Sequence, residues 1–489
     1  MHRWMLTTAA LLLLSACKMG PDYTRPATPT GDAWRLAPAT AESLANLPWW
    51  ELLKDQELQK LIRTALEENQ DLRVAVASIE QFRAQLFIAK YDLIPSVGYQ
   101  GAAQYFHNTK DAVGIGPINI PDFSNNRSGG TDFSHEAATA GVKWEIDLWG
   151  RIRRSIEAAR AQLLTQEENQ RAVIIGLVGN VAEAYFDLRA LDLQVDITKR
   201  ALKSWEDSVR ISRLRFEHGD ISKLDLNRFE AERAGAAAQL AELEQHVVQQ
   251  ENQLSLLLGR RPMPIARGLA LTEQTMPPEV PPGLPSALLQ RRPDIVQAEQ
   301  ELVAANATIG VAQAQRFPQF ALTGTAGVAG FQLTGMSAVG PFGTFGASAA
   351  ITGPLLNATA LGYQVQVAEA QTKGALAQYQ KKILTAFKEV EDALITVQKS
   401  RERRQAQEQQ VQALQSALGL ATQRYQGGRA NYLDVLTTQR NMFDAELALA
   451  KTRRAQLVSV VQLYKALGGG WSPAAPSEAE ARPVSFSPR

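Results

Sequence analysis

The sequence predicts an α+β membrane protein built as an internal two-fold repeat. Three observations carry that prediction. The chain matches itself at fixed offsets. Each half holds two alternating segments of membrane-strand length. Each half also holds long proline-free stretches with a heptad seam. The 489 residues include 51 Lys+Arg against 50 Asp+Glu, and 45% are apolar. A balanced charge argues against a nucleic-acid partner, which would need a basic surplus. No segment after the N-terminal stretch reaches the ~18 apolar residues of a transmembrane helix. A single cysteine rules out an internal disulfide and a cysteine-based zinc site.

Residues 1–16 read as a signal peptide. Met1-His2-Arg3 is a basic start, and Met5 to Leu14 is apolar apart from Thr7 and Thr8. Removing this segment takes Arg3 with it and leaves a net charge of zero. Leu14-Ser15-Ala16-Cys17 resembles the bacterial lipobox. That resemblance implies a covalent N-terminal lipid on Cys17, a diacylglycerol plus an N-acyl chain, and stable anchoring by several acyl chains. Lys18, standing where some lipoproteins carry Asp, implies sorting to the outer membrane. Residues 17–50 carry Pro21, Pro26, Pro29, Pro38 and Pro48 and read as a lipidated, extended strap.

The repeat organises the remainder. Asp71-Leu72, Ala75, Ala84 and Pro95 match Asp294-Ile295, Ala298, Ala307 and Pro318 at an offset of 223. Further on, Val181, Arg215-Phe216, Gly219, Leu224-Asp225 and Leu258-Gly259 match Val390, Arg424-Tyr425, Gly428, Leu433-Asp434 and Leu467-Gly468 at an offset of 209. The first half therefore carries about 14 extra residues, for which His107–His135 is the candidate. The first repeat spans 51–259 and the second 286–471. A Pro-rich linker, 260–285, joins them, and 472–489 reads as a disordered tail.

Four segments alternate with period two. Strands are expected at about 94–106, 136–148, 317–329 and 344–354. In the first, Val97, Tyr99, Ala103 and Tyr105 oppose Ser96, Gln100 and Gln104. In the second, Ala138, Ala140, Val142, Trp144, Ile146 and Leu148 oppose Thr139, Lys143, Glu145 and Asp147. The third sets Phe320, Leu322, Ala326 and Val328 against Gln319, Thr323 and Thr325. The fourth sets Ala347, Ala349 and Ile351 against Ser348 and Thr352. Lipid on one face and water on the other explains this pattern; a half-buried strand in a sandwich is the alternative.

Helices fill the rest. From about Ile152 to Phe216 the seam runs Leu177, Val181, Ala184, Leu188, Leu191, Val195, Thr198, Leu202, Trp205, Val209. The second run, about Gly362 to Tyr425, has a more polar middle at Ser400, Arg404 and Gln407. Return helices are expected at about Lys223–Leu258 and Asn431–Leu467, after turns at Gly219 and Gly427-Gly428. Shorter helices lie near Gln56–Glu68, Leu72–Leu93 and Ile295–Gln315.

Four strands cannot close a membrane barrel, because an open edge in lipid leaves backbone groups unpaired. Copies must pool strands. Two copies would fill their own interior, whereas three could leave a lumen.

The motifs resemble the TolC-like outer-membrane factors, in the NodT/OprM-type efflux lipoprotein branch. They are Gly20-Pro21-Asp22-Tyr23, Trp49-Trp50, Asn69-Gln70-Asp71-Leu72, Asp147-Leu148-Trp149-Gly150-Arg151, Arg292-Pro293-Asp294-Ile295 and Tyr464 through Trp471. The resemblance covers nearly the whole chain after the signal peptide. It implies a homotrimer with a 12-stranded β-barrel on a 12-helix α-barrel, and a mixed equatorial domain. It further implies a passive outer-membrane conduit of a Gram-negative bacterium, exporting drugs or other small toxic compounds. The implied partners are a periplasmic adaptor and an inner-membrane transporter of the resistance-nodulation-division class. Adaptor contact would fall at Gly219, Asp220, Ile221 and Ser222, and at Gly427, Gly428, Arg429, Ala430 and Asn431. Some relatives line the closed entrance with acids. Here Val411–Gln423 contains no Asp or Glu, so a gate would be apolar, at Leu414, Leu418 and Tyr425.

No catalytic pattern emerges. His2, His107, His135, His218 and His246 form no His-Glu-x-x-His motif, and no phosphate-binding loop or Gly-x-Ser-x-Gly occurs. Gly324, Gly327 and Gly330 follow a strand and read as a bend or close packing. Trp49-Trp50 reads as a packing anchor. Lys143, Glu145 and Asp147 either shape pore electrostatics or pair across a lumen. The expectation is therefore no enzyme and no cofactor beyond the lipid. The rival functions are a protein-secretion conduit and a non-channel periplasmic coiled-coil scaffold.

Overall fold

The computed structural model describes residues 18–28, 34–35, 49–108, 131–276, 285–333, 339–354 and 358–469. The signal peptide, Cys17, the 472–489 tail and parts of the strap and linker lie outside the described residues. The elements, in order, are α1 (Trp49–Leu52), α2 (Gln56–Glu68), α3 (Gln70–Tyr91), β1 (Ser96–Asn108), β2 (Thr131–Ile146), α4 (Arg151–Glu217) and α5 (Lys223–Leu257). A 3-10 turn at Pro285–Ala287 leads to α6 (Leu288–Arg291), α7 (Pro293–Ala314), β3 (Gln319–Leu333), β4 (Val339–Thr352), α8 (Ala358–Gln426) and α9 (Tyr432–Ala466). The long helices have 67 and 69 residues, and each return helix has 35. No helix among the described residues is long and apolar enough to cross a membrane.

The chain divides into two compact units. Among the described residues, one unit holds those up to Arg25, within 80–163 and within 300–376, and includes all four strands; the other holds those within 26–79, 164–299 and from 377 on.

In the strand-bearing unit the sheet has the order β1-β2-β3-β4, every pair antiparallel. The observed bounds depart from the expected 94–106, 136–148, 317–329 and 344–354 for local reasons. Pro95 and Pro318 have no amide proton to give the ladder, and β1 and β3 begin one residue after them. At the other end Asp147 leaves β2, because its carboxylate accepts the Ile152 and Arg153 amides at the start of α4. The polar residues Asp132 and Ser134 read as loop but pair with His107 and Tyr105. That places His107 and His135 inside strands, on opposite faces of the sheet. Gly327 is a close-approach glycine, since a Cβ there would overlap the β2 backbone at Ala138 and Thr139.

The core of the other unit gathers α1, α2 and the middle of α4 with the ends of α5 and α9. Trp49 is buried and stacks on Tyr464 at 5.5 Å, with Trp50 edge-on at 5.9 Å. The pair is therefore a packing anchor. Asp55, 1% exposed, caps α2 through the Glu57 and Leu58 amides and accepts the Tyr185 hydroxyl at 2.8 Å. It also accepts the Leu269 amide and the Gln274 side chain, so the buried carboxylate is fully bonded. Burial, then the hydrogen bond to Asp55, pushes the Tyr185 phenol upward. Along α4 the heptad seam is buried from Leu177 to Val209, with Leu191 and Leu202 half-buried. Thr198, its polar member, is fully buried and donates to the Gln194 carbonyl at 2.8 Å.

Candidate functional site: the strand faces and the helix tips

Residues opposite each other in an antiparallel ladder share a face. The register therefore decides whether four separate alternations become one surface. Val97, Val142, Gly324 and Ala347 stand in one row. Tyr99, Ala140, Ala326 and Phe345 form the next apolar row. Tyr99 and Phe345 are each 94% exposed in the single chain. The opposite face carries Ser96, Lys143, Thr323 and Ser348 in one row and Gln100, Thr139, Gly327 and Thr344 in another. The sheet thus has an apolar face and a face of polar and small residues, each running across all four strands. The polar face ends, away from the helices, at Phe106 stacked on Phe133. Glu136, opposite Ala103, is a charged exception on the apolar side.

Within the chain the Glu145 and Asp147 carboxylates each have an arginine partner. Each is claimed locally. Arg151 donates to both Glu145 oxygens, at 3.1 and 2.9 Å. Arg153 donates to Asp147 at 3.3 Å. Arg151 and Arg153 were not legible as their partners, although both arginines follow at i+6.

Just below, the segment after Cys17 is tightly seated. Cys17 itself lies outside the described residues. The Arg154 side chain is 1% exposed and donates to the Met19 and Gly20 carbonyls at 2.9 and 2.8 Å. It also pairs with Asp22 and Glu157, each at 3.0 Å. Lys18 pairs with Glu157 at 2.7 Å, and Asn306 donates to the Pro21 carbonyl. Gly20 has φ +87°, and a Cβ there would overlap Gly310. The charge of Arg154, then that of Lys18, holds the Asp22 carboxyl below its usual range. Sequence reasoning missed Arg154, one arginine in a run of three.

The α4–α5 and α8–α9 turns have parallel construction. Gly219 and Gly428 have φ of +83° and +70°. In each turn the next amide reaches back to close the helix, Asp220 to the Arg215 carbonyl and Arg429 to the Arg424 carbonyl, both at 2.8 Å. Ser222 accepts the Asp225 amide and caps α5; Asn431 accepts the Leu433 amide and caps α9. Ile221, Gly427 and Ala430 complete these turns.

Leu414 and Leu418 are half-buried on α8, as is Tyr425. Tyr425 is braced within its own chain. Its ring meets Tyr432 edge-on at 4.6 Å, with the Arg215 guanidinium 4.9 Å from its centroid. Tyr432 also touches Phe229 at 4.5 Å and donates to Ser208 at 3.1 Å. One aromatic cluster thus ties α4, α5, α8 and α9 together near their turns.

The sequence model of the outer membrane efflux protein family matches residues 61–260 and 284–469. The toluene efflux pump outer membrane protein TtgC of Pseudomonas putida is 38% identical over 467 residues, covering 94% of each chain. The cation efflux system protein CusC of Escherichia coli is 31% identical over 472 residues, covering 96% of this chain and 98% of that one. The open-state MtrE outer membrane channel of Neisseria gonorrhoeae superposes with a TM-score of 0.79 at 29% identity, covering 93% of this chain and 99% of its own. The two-faced sheet, the long helices and these matches lead to one conclusion: the chain is an outer-membrane efflux channel protein and belongs to the outer membrane efflux protein family.

Proposed function

We propose that three copies of this chain close a 12-stranded barrel in the outer membrane, continued by a 12-helix barrel with a mixed equatorial domain. The observation that carries this is the sheet itself. Its apolar and polar faces run across all four strands, and β1 and β4 each keep an unpaired edge within the chain. Lipid does not tolerate such edges. Three four-stranded sheets remove them and leave a water-filled interior. The polar face then lines the lumen, and the apolar face meets lipid.

The internal repeat has support beyond motif matching. Asn69 and Arg292 stand 223 residues apart. Asn69 donates to the Leu257 carbonyl at 2.9 Å and Arg292 to the Ala466 carbonyl at 3.0 Å. Each closes the end of a return helix, beside Gly259 and Gly468 at φ +70° and +71°.

Cys17 carries the diacylglycerol and N-acyl anchor, one residue before the seated Lys18. The turns at Gly219–Ser222 and Gly427–Asn431 meet a periplasmic adaptor. Through it the channel serves an inner-membrane transporter of the resistance-nodulation-division class. Leu414 and Leu418, with the remaining surface of Tyr425, close the periplasmic entrance. The cargo is small toxic compounds, with toluene-like solvents and antibiotics first among them, since solvent-pump and antibiotic-pump components are among its relatives. That relationship favours efflux over protein secretion. Deleting the gene should lower tolerance to toluene and to several drugs, and a tagged adaptor should retain the channel on a column. Unchanged tolerance together with an empty column would refute the assignment.

A further inference from the structure

We propose that Lys143, repeated in each copy, forms a cationic ring on the polar wall of the strand barrel and makes that section of the pore favour anions. The inference rests on the trimeric, lumen-facing arrangement proposed above and goes beyond it by assigning charge selectivity to one residue.

Counting charges by face isolates Lys143. In the row that the register places on the polar side, Ser96, Thr323 and Ser348 accompany Lys143, and none is charged. Glu145 is the one carboxylate on that face within the strands, two residues along β2 from Lys143. Both its oxygens are occupied by Arg151. Asp147 follows at the end of β2 and is taken by Arg153 and two helix amides. These pairs neutralise themselves. Lys143 is exposed and makes no ion pair among the described residues. Asp92 and Arg316, which precede β1 and β3, carry opposite charges. The strand section therefore presents one uncompensated cation per chain. The Ser96 hydroxyl donates to the Lys143 backbone carbonyl at 3.1 Å, which fixes the backbone at that level.

Three like charges at one level of a narrow wet tube raise the potential along its axis, which concentrates anions and depletes cations. The effect persists while the Debye length is comparable to the lumen radius, about 10 Å at 0.1 M salt. A ring of three unit charges should then change the anion-to-cation permeability ratio by roughly two- to fourfold. At about 1 M salt, where the Debye length is about 3 Å, the change should largely vanish.

The test is reversal-potential measurement on the full lipidated trimer in planar bilayers under a potassium chloride gradient. Lys143→Arg should keep the wild-type ratio, and Lys143→Gln should lower chloride preference. Lys143→Cys allows both signs to be written on one assembled channel, since Cys17 is the one native cysteine. A cationic methanethiosulfonate should raise the chloride-to-potassium ratio, and an anionic one should lower it below the unmodified channel. Equal ratios for the two adducts, with labelling verified by mass, would overturn the ring. Failure of either reagent to label would place Lys143 away from water and overturn it equally. Wild-type protein without any conductance would instead remove the channel arrangement on which the ring depends.

Discussion

Single residues in this chain often act by closing a backbone end or seating a segment. Arg292 is nearly buried and holds Asp294 at 2.8 Å, Glu389 at 2.7 Å and the Ala466 carbonyl. Burial disfavours the Asp294 carboxylate, but the hydrogen bonds and charge of Arg292 outweigh it and leave the carboxyl below its usual range. Linkage then sets the direction of the pH dependence. A depressed folded pKa contributes stability above the unfolded value of about 3.9. That stability is lost as pH falls through the folded value. Asp294→Asn should therefore lower the melting temperature by a constant amount from neutral pH to about 5, and the gap to wild type should narrow below about 4. A gap that widens on acidification would contradict the pairing. Gly20→Val should free the N-terminal segment, because the positive φ alone costs roughly 1–3 kcal/mol and Gly310 leaves no room for the side chain. Faster tryptic cleavage after Lys18, with the rest of the chain resistant, is the expected readout.

At the scale of elements, the long helices depend on seams whose polar members are locally satisfied. Thr198 bonds to the Gln194 carbonyl, which already serves its own helix. Thr198→Val should consequently change stability by less than about 1 kcal/mol, since no partner is left stranded. Ser222→Ala, by contrast, removes the cap of α5 and should cost about 1 kcal/mol, read as fraying of the turn by hydrogen exchange. Leu418 lies half-buried on the acid-free stretch of α8. Losing it should weaken closure by roughly 1 kcal/mol per chain, below the cost at a fully buried site. Leu418→Ala should raise single-channel open probability several-fold and admit vancomycin, with little dependence on salt. Wild-type conductance in a correctly assembled variant would put the closure elsewhere.

For the whole molecule, the proposed barrel pairs the free edges of β1 and β4 with strands of other copies. Mass measurement in detergent should give three chains, and a stable monomer would contradict barrel closure. Intact mass should also show acyl chains that Cys17→Ser lacks. Trimerisation should survive that substitution, because the proposed lipid would anchor the assembly without pairing strands.

Sequence alone determined the parts whose signal is local. Period-two alternation marked four strands because each residue's face depends only on its neighbours in the chain. The 4-3 spacing marked α4 for the same reason, and Gly219 and Gly428 marked the turns because only glycine takes a left-handed backbone cheaply. Strand ends were misjudged where pairing, not pattern, decides. Asp132 and Ser134 look like loop until His107 and Tyr105 lie opposite them. Tertiary structure alone chose partners. Arg151, Arg153 and Arg154 are chemically equivalent in sequence, yet one takes Glu145, one takes Asp147 and one is buried under the Met19–Gly20 backbone. These ion pairs depend on how the chain folds back between β2 and α4, and no strand or helix periodicity encodes that turn. The same choice of partners leaves Lys143, on the polar face of the sheet, without an ion pair among the described residues.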